Sequence, residues 1–421
     1  MPPVLPTRAS ATHAWCILFV SKQRGAETPV ELYERPLEAE LAETAERAEP
    51  GRTAQLAVRH WGWDGRGGAT LETTGREFGD ITRERVRQLC ERLSSILRGE
   101  QVATPALEHA LVLAAHAAPT TAHDLARRLA DAHLSAQPFD PAGLLTAADV
   151  LGLDPTFSLE TVKDVRVVLP DPPDPASDTT AVIAAVVDTA RAVVRRAGAA
   201  RVGEVTGRVA ADLAVWVDDE LVTAVCSEPD DFVWLERRSG WFFLPSVAKN
   251  AVVSRVAKVL SITGAVRLAD LHAGIRRDER MREFLMPEYI LGELCERLPG
   301  VTVAGDLVTA QRRQRPEDVL ETTELTLLRA LTAAGGEAGR HELEAACREA
   351  GMKLSSFNNR IAYSPIVVDL GKGRFGLRGY VEAADLQRPG GAWRATAPAA
   401  GGDEELPRPG DLAAYRQPRR R

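Results

Sequence analysis

Residues 70–89 read TLETTGREFGDITRERVRQL. Thr70 stands where a side-chain oxygen caps a first helix, with Leu71 and Phe78 turned inward and Gly75 where two helices approach closely. Gly79-Asp80-Ile81 supplies the turn. Thr82 caps a second helix, and Glu84 in its first turn meets the positive end of the helix dipole. Val86, Leu89, Leu93 and Ile96 recur at spacings of three and four, which predicts one buried stripe. The opposite face carries Arg83, Glu84, Arg87 and Gln88. This is the pattern of a helix-turn-helix. Its second helix enters the major groove, where arginine pairs with guanine and glutamine with adenine through two parallel hydrogen bonds.

Working outward, Arg52 to Gly65 reads RTAQLAVRHWGWDG, a helix followed by an aromatic-glycine turn. Together with TLE at 70–72, Gly75, Phe78 and TRERVRQ at 82–88, this stretch resembles region 4 of the primary RNA polymerase sigma factor family. The resemblance covers about 50 of the 421 residues. It implies reading of the minus-35 promoter element, with Arg83, Glu84, Arg87 and Gln88 on bases or adjacent phosphates. It places Thr70 and Leu71 near the DNA backbone, and Thr82, Arg85 and Arg92 join the expected DNA-binding set. Two features depart from the family: Thr74 stands where an aliphatic residue is usual, and the turn is one residue longer. The segment before the motif is too short for the helical region that melts promoter DNA, so a complete sigma factor is not expected.

Charge supports a local DNA contact. Between Arg52 and Arg98 nine arginines face six acids, a balance of +3 in a chain whose formal net charge is −7, leaving −10 elsewhere. Phosphate contacts dominate affinity, so the acidic remainder is poorly suited to wrapping DNA, and some of it is expected to bind protein. Only six of the 52 basic residues are lysine. The apolar fraction of 45% and charged fraction of 26% exclude a disordered, collagenous or membrane-embedded chain. The apolar run Ala14 to Val20 is too short to span a bilayer, so a cytoplasmic bacterial protein is expected. Cys16, Cys90, Cys226, Cys295 and Cys347 form no CxxC pair and read as reduced, structural thiols.

The length predicts two to four compact units. Residues 1–50 are expected to form an N-terminal strand and helix segment, with the strand and helix start at 12–34, and 51–100 the helix-turn-helix. Residues 169–180, LPDPPDPASDTT, predict an extended proline-rich linker, and 381–421 a disordered tail. A weaker boundary lies at Gln311 to Thr323. An acidic-then-aliphatic pair recurs at Asp124-Leu125, Glu204-Val205, Asp270-Leu271 and Glu342-Leu343. The last three are followed by a helix and two β-prone runs, with Gly240, Gly305-Asp306 and Gly371-Lys372-Gly373 in the turns. Three helices and a hairpin predict winged-helix units at 181–248, 249–312 and 322–380. A fourth is a candidate at 101–168, where the hairpin is hard to find beyond Asp164 to Leu169. Trp234, Trp241, Phe242 and Phe243 read as the apolar face closing their unit.

The fold class expected is therefore mainly α with short β-hairpins, a helix-turn-helix followed by tandem winged-helix units. Ser356, Asn358, Asn359, Arg360, Lys372 and Arg374 offer a possible second DNA contact in the last unit, whereas Asp218-Asp219-Glu220 in the first would repel a groove. No phosphate loop, GxSxG elbow or HExxH pair occurs, and no enzyme activity, cofactor or metal is expected. Two functions fit. One is a sequence-specific transcriptional regulator of double-stranded DNA that contacts RNA polymerase or another protein. The other is an adaptor or scaffold in a multi-protein assembly such as a phage-defence or mobile-element system.

Overall fold

The computed structural model describes residues 35–99, 102–173, 178–228, 231–278, 281 and 285–379. The strand and helix start expected at 12–34, the tail at 381–421, Cys16 and residues 174–177 of the proline-rich stretch lie outside them. The described chain is mainly helical, with four small antiparallel sheets of three strands each. It divides into two compact units, 1–176 and 177–421. The division falls inside the proline-rich stretch, but Leu169 and Pro170 are not linker: they end a strand and pair with Ser158 and Phe157.

Among the described residues the first unit begins with four helices, α1 (Leu37–Ala48), α2 (Arg52–Trp61), α3 (Leu71–Glu77) and α4 (Arg83–Gly99). It continues through α5 (Pro105–Ala117), β1 (Thr120–Thr121), α6 (Ala122–Asp131), α7 (Pro141–Leu151), β2 (Phe157–Val162) and β3 (Val165–Pro170). One hydrophobic core runs through all of it, from Leu37 on α1 through Leu93 on α4 to Val168 on β3. The stretches 1–50, 51–100 and 101–168, separable in sequence, thus meet around shared apolar side chains. Glu40 on α1 shows how. Thr104 precedes α5 but its side chain caps nothing. Instead the Glu40 carboxylate accepts from the amides of Ala106 and Leu107, each at 3.1 Å, capping α5 from a distant helix. Burial pushes its carboxyl above the ordinary value in spite of those two amides.

The second unit repeats one plan three times. The first copy is α8 (Thr179–Ala197), β4 (Ala200–Arg201), α9 (Val202–Leu213), α10 (Asp219–Ser227), β5 (Val233–Glu236) and β6 (Trp241–Phe243). The second is α11 (Ala251–Thr263), β7 (Ala265–Arg267), α12 (Leu268–Arg277), α13 (Glu288–Glu296), β8 (Val301–Ala304) and β9 (Leu307–Ala310). A single turn, α14 (Pro316–Val319), leads to the third: α15 (Thr322–Ala333), β10 (Glu337–Gly339), α16 (Arg340–Glu349), α17 (Leu354–Tyr363), β11 (Val367–Gly371) and β12 (Arg374–Leu377).

Residues 105–170 of the first unit follow the same plan, and in all four copies the last strand lies between the other two. The hairpin not evident after Asp164 is β2–β3, whose turn places Lys163 at φ 51° and Asp164 at φ 68°. A tight hairpin of this hand needs left-handed backbone, which glycine usually provides. Here two non-glycine residues adopt it, so the sequence carries no glycine to mark the turn.

The repeated acidic-aliphatic pair has a structural basis. In every copy it occupies the third and fourth positions of the second helix, α6, α9, α12 or α16. The acid sits in the first turn, where the helix dipole favours it. The aliphatic partner is buried: Leu125, Val205 and Leu271 at 0% exposure, and Leu343 at 1%. In the β5–β6 hairpin, Trp241, Phe242 and Phe243 are also buried and Phe232 stacks on Phe242, while Trp234 stays half-buried.

Polar contacts join successive copies of the second unit. Asn250 caps α11 and donates from Nδ2 to Gly198 O at 2.8 Å. Buried Glu324 accepts from Lys258 Nζ at 2.7 Å and Ser364 Oγ at 3.0 Å. Buried Arg378 donates to the carbonyls of Asp270 and Pro365 at 2.7 and 2.8 Å. The polar stretch read as a boundary at 311–323 is itself pinned, since Arg313 Nε donates to Ser261 O at 2.7 Å. No helix among the described residues is long and apolar enough to cross a membrane.

Candidate nucleic-acid interface

Helices α3 and α4 are joined by a turn in which Gly79 has φ 82° and Asp80 φ 55°. The Thr70 hydroxyl accepts from Thr73 N at 3.1 Å and caps α3. Ile81 N donates to Gly75 O at 3.1 Å, drawing the turn back onto the helix. A Cβ on Gly75 would collide with the Ile81 carbonyl oxygen, so the glycine is needed for this approach. At the start of α4, Thr82 accepts from Arg85 N through Oγ1 at 3.3 Å and from Val86 N through its carbonyl at 3.1 Å.

The buried stripe of α4 is Val86, Cys90, Leu93 and Leu97. This corrects the register expected from sequence: Leu89 and Ile96 are half-buried flanks, and the small apolar thiol of Cys90 takes the central position. Leu71 and Phe78 are partly buried against the same core. Thr74 is wholly buried, and its hydroxyl has no hydrogen-bond partner.

The register leaves Thr82, Arg83, Glu84, Arg85, Arg87, Gln88, Glu91 and Arg92 exposed. Arg87 lies between two acids, donating to Glu84 at 3.0 Å from Nε and 2.6 Å from Nη2, and to Glu91 from Nη1. Those ion pairs, Glu84 first, raise its guanidinium pKa further and lower that of Glu84. Gln88 Nε2 also donates to Glu84, at 3.2 Å. Glu84 therefore holds both Arg87 and Gln88. Arg83 and Arg85 make no ion pair among the described residues. Arg92, also exposed, bridges to Glu49 at the end of α1, at 3.0 Å. Thr70 is exposed at the entry to α3, and exposed Thr73, not singled out from sequence, shares its hydroxyl contact at 2.9 Å. A threonine three residues after the cap was the available signal.

This face is suited to anionic ligands. Exposed ion pairs such as Arg87–Glu84 contribute little in water, so they hold the guanidinium only weakly. The turn before α3 is held by the copy that follows: Asp140 N donates to Gly65 O at 3.0 Å, and a Cβ on Gly67 would strike the Asp140 carboxylate. Asp140 in turn caps α7 and receives Arg166 through 2.7 and 2.8 Å bonds. Burial raises its carboxyl pKa, but Arg166 and the Ala142 amide outweigh that and leave it below the ordinary 3.8.

Several side chains of the second expected contact are paired within the protein. Arg360 is turned back onto the start of α15, with Nε 2.8 Å from Thr323 Oγ1 and Nη2 on Glu321. Asn358 Oδ1 accepts from Arg340 at 2.7 Å, Arg374 pairs with Glu337 at 3.0 Å, and Ser356 is half-buried. Asn359 and Lys372 are exposed, the latter at φ 51° in the hairpin turn. A sequence does not reveal that Glu321 lies opposite Arg360. Elsewhere, burial pushes the thiols of Cys90, Cys226 and Cys295 up to about 12, and burial raises that of Cys347 as well. Such thiols are protonated at neutral pH and poor nucleophiles. No protein-family model matches the chain, and no curated protein matches it.

Proposed function

We propose that the protein is a sequence-specific transcriptional regulator of double-stranded DNA. In this reading α3 and α4 form a sigma region 4-like helix-turn-helix, and the four sheet-bearing copies are winged-helix units. Helix α4 lies in the major groove, with Arg83, Arg85, Arg87 and Gln88 toward bases and nearby phosphates and Thr70 and Thr73 toward the backbone. The observation that carries the reading is the capped, glycine-turned helix pair whose buried stripe leaves this arginine and glutamine face exposed. RNA polymerase is the partner that the likeness to region 4 suggests.

The competing reading, a helix-turn-helix that serves as a protein-docking surface in an adaptor, is separated by salt. Binding through several phosphates loses affinity steeply as salt rises, with a log–log slope of about −0.9 per phosphate neutralised. The slope on duplex DNA is expected to be steep and to shrink by about one when Arg83 is replaced by alanine. A flat slope would remove the DNA reading.

A further inference from the structure

Six large apolar side chains stand exposed among the described residues: Val112, Leu213, Trp216, Leu285, Tyr289 and Leu354. Single exposed apolar residues are ordinary, but four of these recur at one place in the repeated plan, the approach to the third helix of the first two copies in the second unit. Leu213 ends α9, Ala214 turns the chain in a left-handed conformation, and Trp216 projects with 83% of its surface exposed before α10 begins. In the next copy Leu285 and Tyr289 flank the start of α13, and α13 packs against β5 of the copy that carries Trp216.

Charge identifies what covers these side chains. Between Asp212 and Asp231 the sequence has seven acids and no lysine or arginine. Asp218 caps α10 through Glu220 N at 3.0 Å, and Asp219 accepts from Thr206 Oγ1, but Asp212, Asp218 and Asp219 form no ion pair among the described residues. Glu288, Glu293 and Glu296 extend the pattern along α13, again with no basic residue between 285 and 296. Such a surface repels phosphate, whether of DNA or of an anionic bilayer. An aromatic face beside carboxylates suits a guanidinium, which stacks on the ring and pairs with the acids at its edge.

We infer that the α9–α10 corner, together with the start of α13, docks an arginine-rich segment of a partner protein, with Trp216 as its anchor. The inference is independent of the DNA reading of α4, and its test leaves that reading untouched. The probe is a fluorescent peptide of alternating arginine and leucine, titrated by anisotropy into the full chain, with a glutamate-for-arginine peptide as control.

Trp216→Ser is expected to weaken binding at least about tenfold, as loss of an anchor does. Asp212→Asn is expected to weaken it less and flatten its salt dependence, while Asp154→Asn, an exposed acid of the first unit, changes nothing. Chemical denaturation of all three variants matches that of the parent protein, which shows that they fold. Peptide affinity unchanged in Trp216→Ser overturns the inference. So does a tenfold gain in peptide affinity on removing residues 380–421, because the occupant is then this chain's own tail. Self-association of the free protein that is abolished by Trp216→Ser overturns it as well, since the face then belongs to a second copy.

Discussion

Helices α4 and α10 each follow a turn from the preceding helix and are anchored by small and branched apolar residues. α4 buries Val86, Cys90, Leu93 and Leu97, and α10 buries Val222, Ala224, Val225 and Cys226. Their outer faces are opposite in character. α4 begins with Arg83 and Arg85 and carries Arg87 and Gln88, whereas α10 begins with Asp218, Asp219 and Glu220 beside an exposed tryptophan. The buried stripe fixes where a helix sits, and the exposed face decides what it meets. One scaffold thus supplies, in our reading, a nucleic-acid contact in one unit and a protein contact in the other.

The comparison breaks first at the buried stripes. Leu93→Ala removes a wholly buried side chain from the core behind α4 and is expected to destabilise the first unit by about 2–5 kcal/mol. Chemical denaturation measures this loss, and DNA binding should fall with it. A cost near zero would mean that α4 is not held where it stands.

Next comes the outer face. Replacing Arg83 and Arg87 together with alanine is expected to lower specific DNA affinity by about a hundredfold, while Asp219→Asn on α10 leaves it unchanged. Equal effects from the two helices would erase the distinction between them. Glu84→Ala sharpens it: with its clasp on Arg87 and Gln88 gone and one negative charge removed, total affinity rises while discrimination between sites falls by about tenfold.

Acid provides a fourth test, because Asp140 ties the turn before α3 to the neighbouring copy. Its folded-state carboxyl titrates below the ordinary value, so its stabilising contribution is present at neutral pH. That contribution is lost as the pH falls through 3.8 and below it. Asp140→Asn should flatten the acid limb of a stability–pH curve, and an unchanged limb would remove the anchor. The smallest effect expected is a gain. Thr74→Val replaces a buried hydroxyl that has no partner with a methyl group of the same shape, and should stabilise by about 1 kcal/mol.

Much of this was legible in the sequence where a residue type has one physical use. Thr70 and Gly75 marked the first helix and the close approach, and the recurring acid-aliphatic pair marked the second helix of every copy. What was not legible involved substitution of one means for another. Cys90 fills a core position that leucine was expected to hold, and Lys163-Asp164 make a left-handed turn without glycine. Arg92 and Arg360 belonged to the expected contact sets, yet their acids, Glu49 and Glu321, lie far away in the chain and become neighbours only on folding. The exposed Trp216 carried no signal either, since burial is a property of the assembled surface.

The account's central claim, that α4 reads DNA by sequence, is tested most directly by selection from a pool of random duplexes. The purified full chain is incubated with the pool and the retained DNA is sequenced, with the Arg83→Ala/Arg87→Ala protein alongside. The account predicts a short enriched motif that disappears in the double variant. Retention no better than background, or a motif kept equally by the variant, would contradict it.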